Sequence, residues 1–82
     1  LSQRITVTDT FAESLTRYKY RLDDNTLAKS DLKQLYNAIL NDTLPIGTPL
    51  GSGKYEFIIG NEFIVIFKET DYGAKFLSLV EL

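Results

Sequence analysis

The sequence predicts an α+β domain of order β-α-α-β-β-β, an antiparallel meander sheet with an αα-hairpin packed on one face. Residues 4–8 alternate polar and apolar, residues 10–40 carry apolar side chains at helical spacing, and residues 54–80 alternate again in runs broken by turn residues. The length, 82 residues, fits one domain spanning 1–82. A chain of this size buries only about 60% of its unfolded surface, so marginal stability is expected.

The elements follow in order. Arg4-Ile5-Thr6-Val7-Thr8 reads as a short strand burying Ile5 and Val7. Thr10-Phe11-Ala12-Glu13 fits a capping box with Thr10 as N-cap, hydroxyl and carboxylate each satisfying an orphaned amide. Phe11, Leu15, Tyr18 and Leu22 form one helical stripe, and Asp23-Asp24-Asn25 supplies the turn to a second helix beginning near Leu27. That helix carries Leu32, Leu35, Tyr36, Ile39 and Leu40 and ends at Asn41-Asp42, before Pro45. Proline and glycine content makes residues 44–53 a loop. Its Gly-Ser-Gly-Lys order lacks the spacing of a phosphate-binding loop and leads into a strand.

Lys54 to Ile59 is a strand, Gly60-Asn61 a two-residue hairpin turn, and Glu62 to Lys68 a central strand, apolar on both faces at Phe63-Ile64-Val65-Ile66-Phe67. Thr70-Asp71-Tyr72-Gly73 turns into a last strand, Lys75 to Val80. With a regular turn, Ile59 faces Glu62 and Phe57 faces Ile64. Tyr55, Phe57, Ile59, Ile64 and Ile66 then face the helices. Lys54, Glu56, Ile58, Phe63, Val65 and Phe67 occupy the opposite face, too apolar for water and expected to be covered by a partner chain or by another segment of this one.

Several chemistries are excluded by composition. There is no cysteine, histidine, methionine or tryptophan. This removes thiol nucleophiles, imidazole bases, disulfides and ordinary zinc sites, so neither metal nor cofactor is expected. Nine Lys+Arg against eleven Asp+Glu give −2, which speaks against nonspecific nucleic-acid binding. Cations gather only at Arg17-Tyr18-Lys19-Tyr20-Arg21, which is either an RNA contact with interleaved aromatics or, as the more common case, a solvated helix end. No apolar run is long enough to span a membrane, and the amino terminus has no signal-peptide core, so a cytoplasmic location is expected.

The wording of the middle segment resembles the RelE/ParE superfamily of bacterial type II toxin–antitoxin toxins. Pro49-Leu50-Gly51, then Gly53-Lys54-Tyr55-Glu56-Phe57-Ile58-Ile59-Gly60-Asn61, then Phe63-Ile64-Val65-Ile66-Phe67 after the extra Glu62, follow the loop, strand, turn and strand of typical members. Element order matches along nearly the whole chain. Family arginines are replaced here by Ile58 and Ile64, and the basic stretch with His, Tyr or Arg that catalytic members carry after the last strand has no counterpart in Leu79-Val80-Glu81-Leu82.

The resemblance implies a toxin that inhibits translation by ribosome-dependent mRNA cleavage, with a cognate antitoxin as partner and the ribosome and mRNA as target. A ParE-like inhibitor of DNA gyrase, or a catalytically inert interaction module, is the alternative. The residues available for catalysis are Lys54, Glu56, Lys68 and Tyr72, with Glu56 as base and the lysines as cations; Lys54–Glu56 as a surface pair and Tyr72 as an anchoring aromatic are the bland readings. Target contacts fall to Arg17, Lys19, Arg21 and Lys75. Partner binding falls to Ile58, Phe63, Val65 and Phe67.

Overall fold

In the computed structural model, which describes residues 4–43 and 46–82, the chain forms β1 (Arg4–Val7), α1 (Asp9–Arg17), α2 (Lys19–Asp24), α3 (Thr26–Leu40), β2 (Thr48–Gly51), β3 (Lys54–Ile59), β4 (Phe63–Thr70) and β5 (Gly73–Glu81). The strands make one sheet of order β1-β5-β4-β3-β2. After β1 the chain crosses one face of the sheet as helices, enters the far edge as β2 and meanders back. The return brings β5 beside β1, and that pair is parallel while the others are antiparallel. The α+β class holds, with a mixed sheet in place of a purely antiparallel one. No helix among the described residues is long and apolar enough to cross a membrane.

Local chemistry places each helix. Thr8, rather than Thr10, is the N-cap of α1: its Oγ1 accepts from the Phe11 amide at 3.1 Å and donates to the Leu77 carbonyl at 2.7 Å. Because the Thr8 amide also donates to Phe76, the last sheet bond and the first helix bond share one residue, and no room is left for a later start. The expected first helix is divided at Tyr18 into α1 and α2. Asn25 caps α3 by accepting from the Ala28 amide at 2.8 Å. Ala28, Leu35 and Ile39 form the buried stripe of α3, while Leu40 is exposed.

Two strand assignments change. Thr48–Gly51 is strand and not loop, pairing Thr48 with Glu56 and Pro49 with Tyr55. Proline is tolerated there because β2 is an edge strand. Leu44 and Pro45 of the expected loop, like residues 1–3, lie outside the described residues. Val7, expected in the core, is exposed, because an edge strand is only partly covered by the helices; Ile5 packs against the core.

The larger correction concerns register. Gly60 and Asn61 do form the turn, both at positive φ, and the Glu62 amide closes it on the Ile59 carbonyl at 3.2 Å. Glu62 is then an extra residue outside the ladder, and pairing starts at Ile59↔Phe63, followed by Ile58↔Ile64 and Phe57↔Val65. A one-residue shift turns every side chain of β4 over. Phe63, Val65 and Phe67, expected on the open face, are therefore under the helices at 0% exposure, while Ile64 and Ile66 face away.

Around them the core gathers Phe11, Ala28, Leu35, Ile39, Ile59, Ala74, Phe76 and Leu79. Phe76 is its hub, with Phe11 edge-on at 5.3 Å, Phe67 tilted at 5.9 Å and Tyr36 stacked at 5.7 Å. A bulge in β5, between the pairs Phe67↔Phe76 and Ile66↔Ser78, lets Phe76 and Leu79 both serve this core. Fully burying a phenylalanine is worth about 1.5–3 kcal/mol, so the four buried phenylalanines are a large share of what holds this small chain together.

Candidate functional site

The helix-free face of the sheet is built from alternate residues of its strands, and its rows follow from register. One row reads Lys54↔Lys68↔Lys75↔Thr6, across β3, β4, β5 and β1. The next reads Thr48↔Glu56↔Ile66↔Ser78, and the third Ile58↔Ile64↔Val80. Neighbouring strands lie about 4.8 Å apart, so the three lysine backbones fall within roughly 10 Å. Like charges directly opposite one another on a sheet are destabilising. This row is thus a place where an anion restores balance.

Arg4 extends the cationic patch. It has the same strand parity as Thr6, pairs with Gly73, and its amide donates to the Tyr72 carbonyl. Tyr72 is 57% exposed in the turn between β4 and β5. Glu56 is the one carboxylate in the three rows, against Arg4, Lys54, Lys68 and Lys75. Among the described residues the ion pairs are those of Arg21 with Glu62 and Glu81, so Lys54–Glu56 is not a closed pair.

Arg21 explains why Glu62 does not neutralise this face. Its guanidinium meets Glu62 at 2.7 Å and Glu81 at 3.1 Å, and lies 4.8 Å above the Phe63 ring. Asn25 adds a hydrogen bond to Glu62 at 3.1 Å. Hydrogen bonds from Arg21 and then Asn25 hold the Glu62 carboxyl below its ordinary value, and the bond to Glu62 raises Arg21 in turn. The pair draws Glu62 to the end of the sheet opposite the lysines. Arg21 is a strap between α2 and the hairpin and is not a free cation for a target.

The expected site residues are thus divided. Lys54, Glu56, Lys68 and Lys75 come together on the open face, with Tyr72 at its rim. Arg17, Lys19 and Arg21 belong to the helical layer and do not join them. Of the expected partner surface, only Ile58 is exposed, at 48%; Phe63, Val65 and Phe67 are core. Ile64 and Val80 take their places beside Ile58. Sequence reasoning placed Ile64 under the helices, an error that follows from the extra Glu62, and gave no face to Val80 or Arg4; Arg4 has no local signal because β1 meets β5 only through the parallel pairing. Among the described residues no group of three or more acidic, histidine or cysteine side chains is arranged to hold a metal ion.

The chemistry on this face is a row of cations that attracts an anion and one carboxylate that can accept a proton. Glu56 lies two residues from Lys54 on the same strand face, about 6.8 Å along the chain, and diagonal to Lys68. Cations outnumber the carboxylate, so the face does not repel an anion.

No family model and no curated protein matches this sequence. Solved structures do. The chain is similar to the E. coli DinJ-YafQ toxin-antitoxin complex, with a TM-score of 0.71 and 21% identity over 99% of this chain and 93% of that one. A second E. coli DinJ-YafQ complex gives 0.69 and 22% identity over 96% and 92% of the two chains. YafQ from E. coli strain BL21(DE3) gives 0.67 and 22% identity over the same shares. At these identities the likeness is one of fold: three helices on a five-stranded mixed sheet, the RelE-like fold.

Proposed function

We propose that this chain is the toxin-like member of a toxin–antitoxin pair, acting in the cytoplasm and inhibiting translation by cutting mRNA on the ribosome. The observation that carries the reading is the row Lys54–Lys68–Lys75, three cations in direct register on an open sheet face with Glu56 as the only carboxylate in the adjoining rows. The fold shared with YafQ, which occurs in complex with DinJ, supports the same reading and suggests a cognate antitoxin here.

In this mechanism the lysine row holds successive phosphates of one RNA strand, which relieves its own repulsion. Glu56 accepts the proton of a ribose 2′-hydroxyl. The 2′ oxygen attacks the adjacent phosphorus, the bond to the 5′ oxygen breaks, and an ammonium of the row protonates that leaving oxygen. The products are a 2′,3′-cyclic phosphate and a free 5′-hydroxyl. The remaining ammoniums face the equatorial oxygens, where negative charge grows.

A cell-free translation assay with mapping of mRNA ends on the stalled ribosomes tests this. Discrete new 5′ ends, lost in Lys54→Ala/Lys68→Ala and in Glu56→Gln, are the expected result. Unimpaired translation with intact mRNA would overturn it. A binding-only role is the second reading, either a ParE-like gyrase inhibitor or an inert interaction module. It draws on the row Ile58–Ile64–Val80, apolar side chains beside the lysines that suit a protein partner and not RNA. Loss of gyrase supercoiling activity on adding the protein would favour it.

A further inference from the structure

We infer that the outer edge of β1 is an interface between two copies of this chain. Two β1 strands pair antiparallel about a two-fold axis at Thr6 and join two five-stranded sheets into one. The inference concerns the edge of the sheet and holds whatever the lysine row binds.

The two edges of the sheet, β2 on one side and β1 on the other, are not alike. β2 is blunted, because Pro49 has no amide to donate and a bulge between Pro49 and Gly51 breaks its line. β1 carries neither device. Its Arg4 and Thr8 amides donate inward to the Tyr72 and Phe76 carbonyls, at the two-residue repeat of a parallel ladder. Ile5 and Val7 lie between the inward positions, so their amides and carbonyls point outward, and among the described residues no backbone group pairs with them. The side chains beside this edge are apolar. Val7 is 45% exposed; Tyr36, at 36%, stacks on Phe76, the register partner of Val7, and Leu40, at 50%, follows one turn along α3.

A second copy of β1 fits this edge in one register. Only with Ile5 opposite the partner's Val7, and Val7 opposite the partner's Ile5, do both outward residues of both chains exchange their bonds. That register sets apolar against apolar on the helix side and places Thr6 opposite the partner's Thr6, a favourable cross-strand pair. Arg4 then falls opposite the partner's Thr8, next to the partner's Asp9, whose counterpart here is an exposed acid in the first turn of α1. Cation therefore meets acid at both ends of the seam, a match that the two-fold makes twice and that a foreign strand would not bring with it. Because Thr6 belongs to the lysine row, the two rows become collinear, with Lys75 and the partner's Lys75 three strand spacings apart, about 14 Å. At physiological salt that lies beyond the screening length of about 8 Å, so the seam adds little repulsion.

The absence of native cysteine makes a direct test available. Thr6→Cys carries the sole thiol, and on the axis it stands close enough to its copy for a disulfide, whereas Arg4→Cys would be about 14 Å from its copy and too far. Under diamide, Thr6→Cys should cross-link into a dimer and Arg4→Cys should stay monomeric. Sedimentation equilibrium of the wild type should show monomer and dimer exchanging between micromolar and millimolar concentration. Val7→Lys, at an exposed position, should weaken that association about tenfold or more, since lysine is a common way of blunting an edge. Arg4→Glu should weaken it too, and Arg4→Glu/Asp9→Lys should restore it. Hydrogen exchange at the Ile5 and Val7 amides should slow as concentration rises. A monomer at every concentration, with the two cysteine variants cross-linking equally, would overturn the inference. So would a dimer unchanged by Val7→Lys, which would place the contact elsewhere. Protection of the Ile5 and Val7 amides only on adding a different protein would give the edge to a foreign strand and equally overturn the second copy.

Discussion

Replacing Phe67 with Ala removes a ring that is fully buried, stacked on Tyr55 at 5.5 Å and packed against Phe76 at 5.9 Å. Truncating a buried phenylalanine costs about 3–5 kcal/mol in lost transfer energy and residual cavity. A domain of this length has only about 4–12 kcal/mol to lose. With a urea slope of about 1 kcal/mol/M, the midpoint should fall by roughly 3 M or more, or folding should be lost in water. The control is Ile64→Ala, one strand position from Val65 but on the open face, which should cost about 1 kcal/mol. Urea melts followed by circular dichroism compare the two. A Phe67→Ala midpoint close to wild type, with Ile64→Ala strongly destabilised, would refute the register and restore Phe67 to a partner-binding surface.

Two further outcomes are expected. Because hydrogen bonds from Arg21 and Asn25 lower the Glu62 carboxyl in the folded state, its contribution to stability is complete above the ordinary carboxylate value and is lost as pH falls through the lowered one. Thermal melts across acid pH should show that slope flattened in Glu62→Gln; an unchanged slope would mean the pair does not couple to folding. Lys68→Ala removes the middle charge of the row, so it should leave stability unchanged or raise it by up to about 1 kcal/mol while reducing the salt dependence of RNA binding by about one phosphate contact. Loss of stability in this variant would show that the row is structural and not held open for an anion.

How much of this was legible depends on how local each cause is. Helix and strand identity came through because the apolar spacing of Phe11-Leu15-Tyr18-Leu22 and the alternation of Lys54–Ile59 are set within a few residues. Thr48–Gly51 did not, since Thr-Pro-Leu-Gly has turn composition and becomes a strand only because β3 offers it an edge. The faces of β4 were illegible for a different reason. Phe63-Ile64-Val65-Ile66-Phe67 is apolar at every position, so alternation does not choose a side. The choice is made by what the core can bury, and it leaves Glu62 outside the ladder, held by Asn25 and Arg21, 37 and 41 residues away in sequence. The lysines were identifiable singly, but their alignment was not, since under a two-residue turn Lys54 and Lys68 would face opposite sides.

Core and site are therefore set by the same register. Slipping β4 back by one position would expose two phenylalanines and a valine, each worth about 1.5–3 kcal/mol when buried, in exchange for Ile64 and Ile66. It would also turn Lys68 inward beneath the helices, where an unpaired ammonium costs several kcal/mol more. The observed register avoids both costs, but it places three lysines side by side, a repulsion of a few tenths to about 1 kcal/mol per neighbouring pair. The core term is several times larger and decides the outcome. The lysine row is then a tension that folding imposes and that a phosphate backbone can release. For that reason the stability of the sheet does not explain Lys54, Lys68 and Lys75, and the proposed RNA contact would.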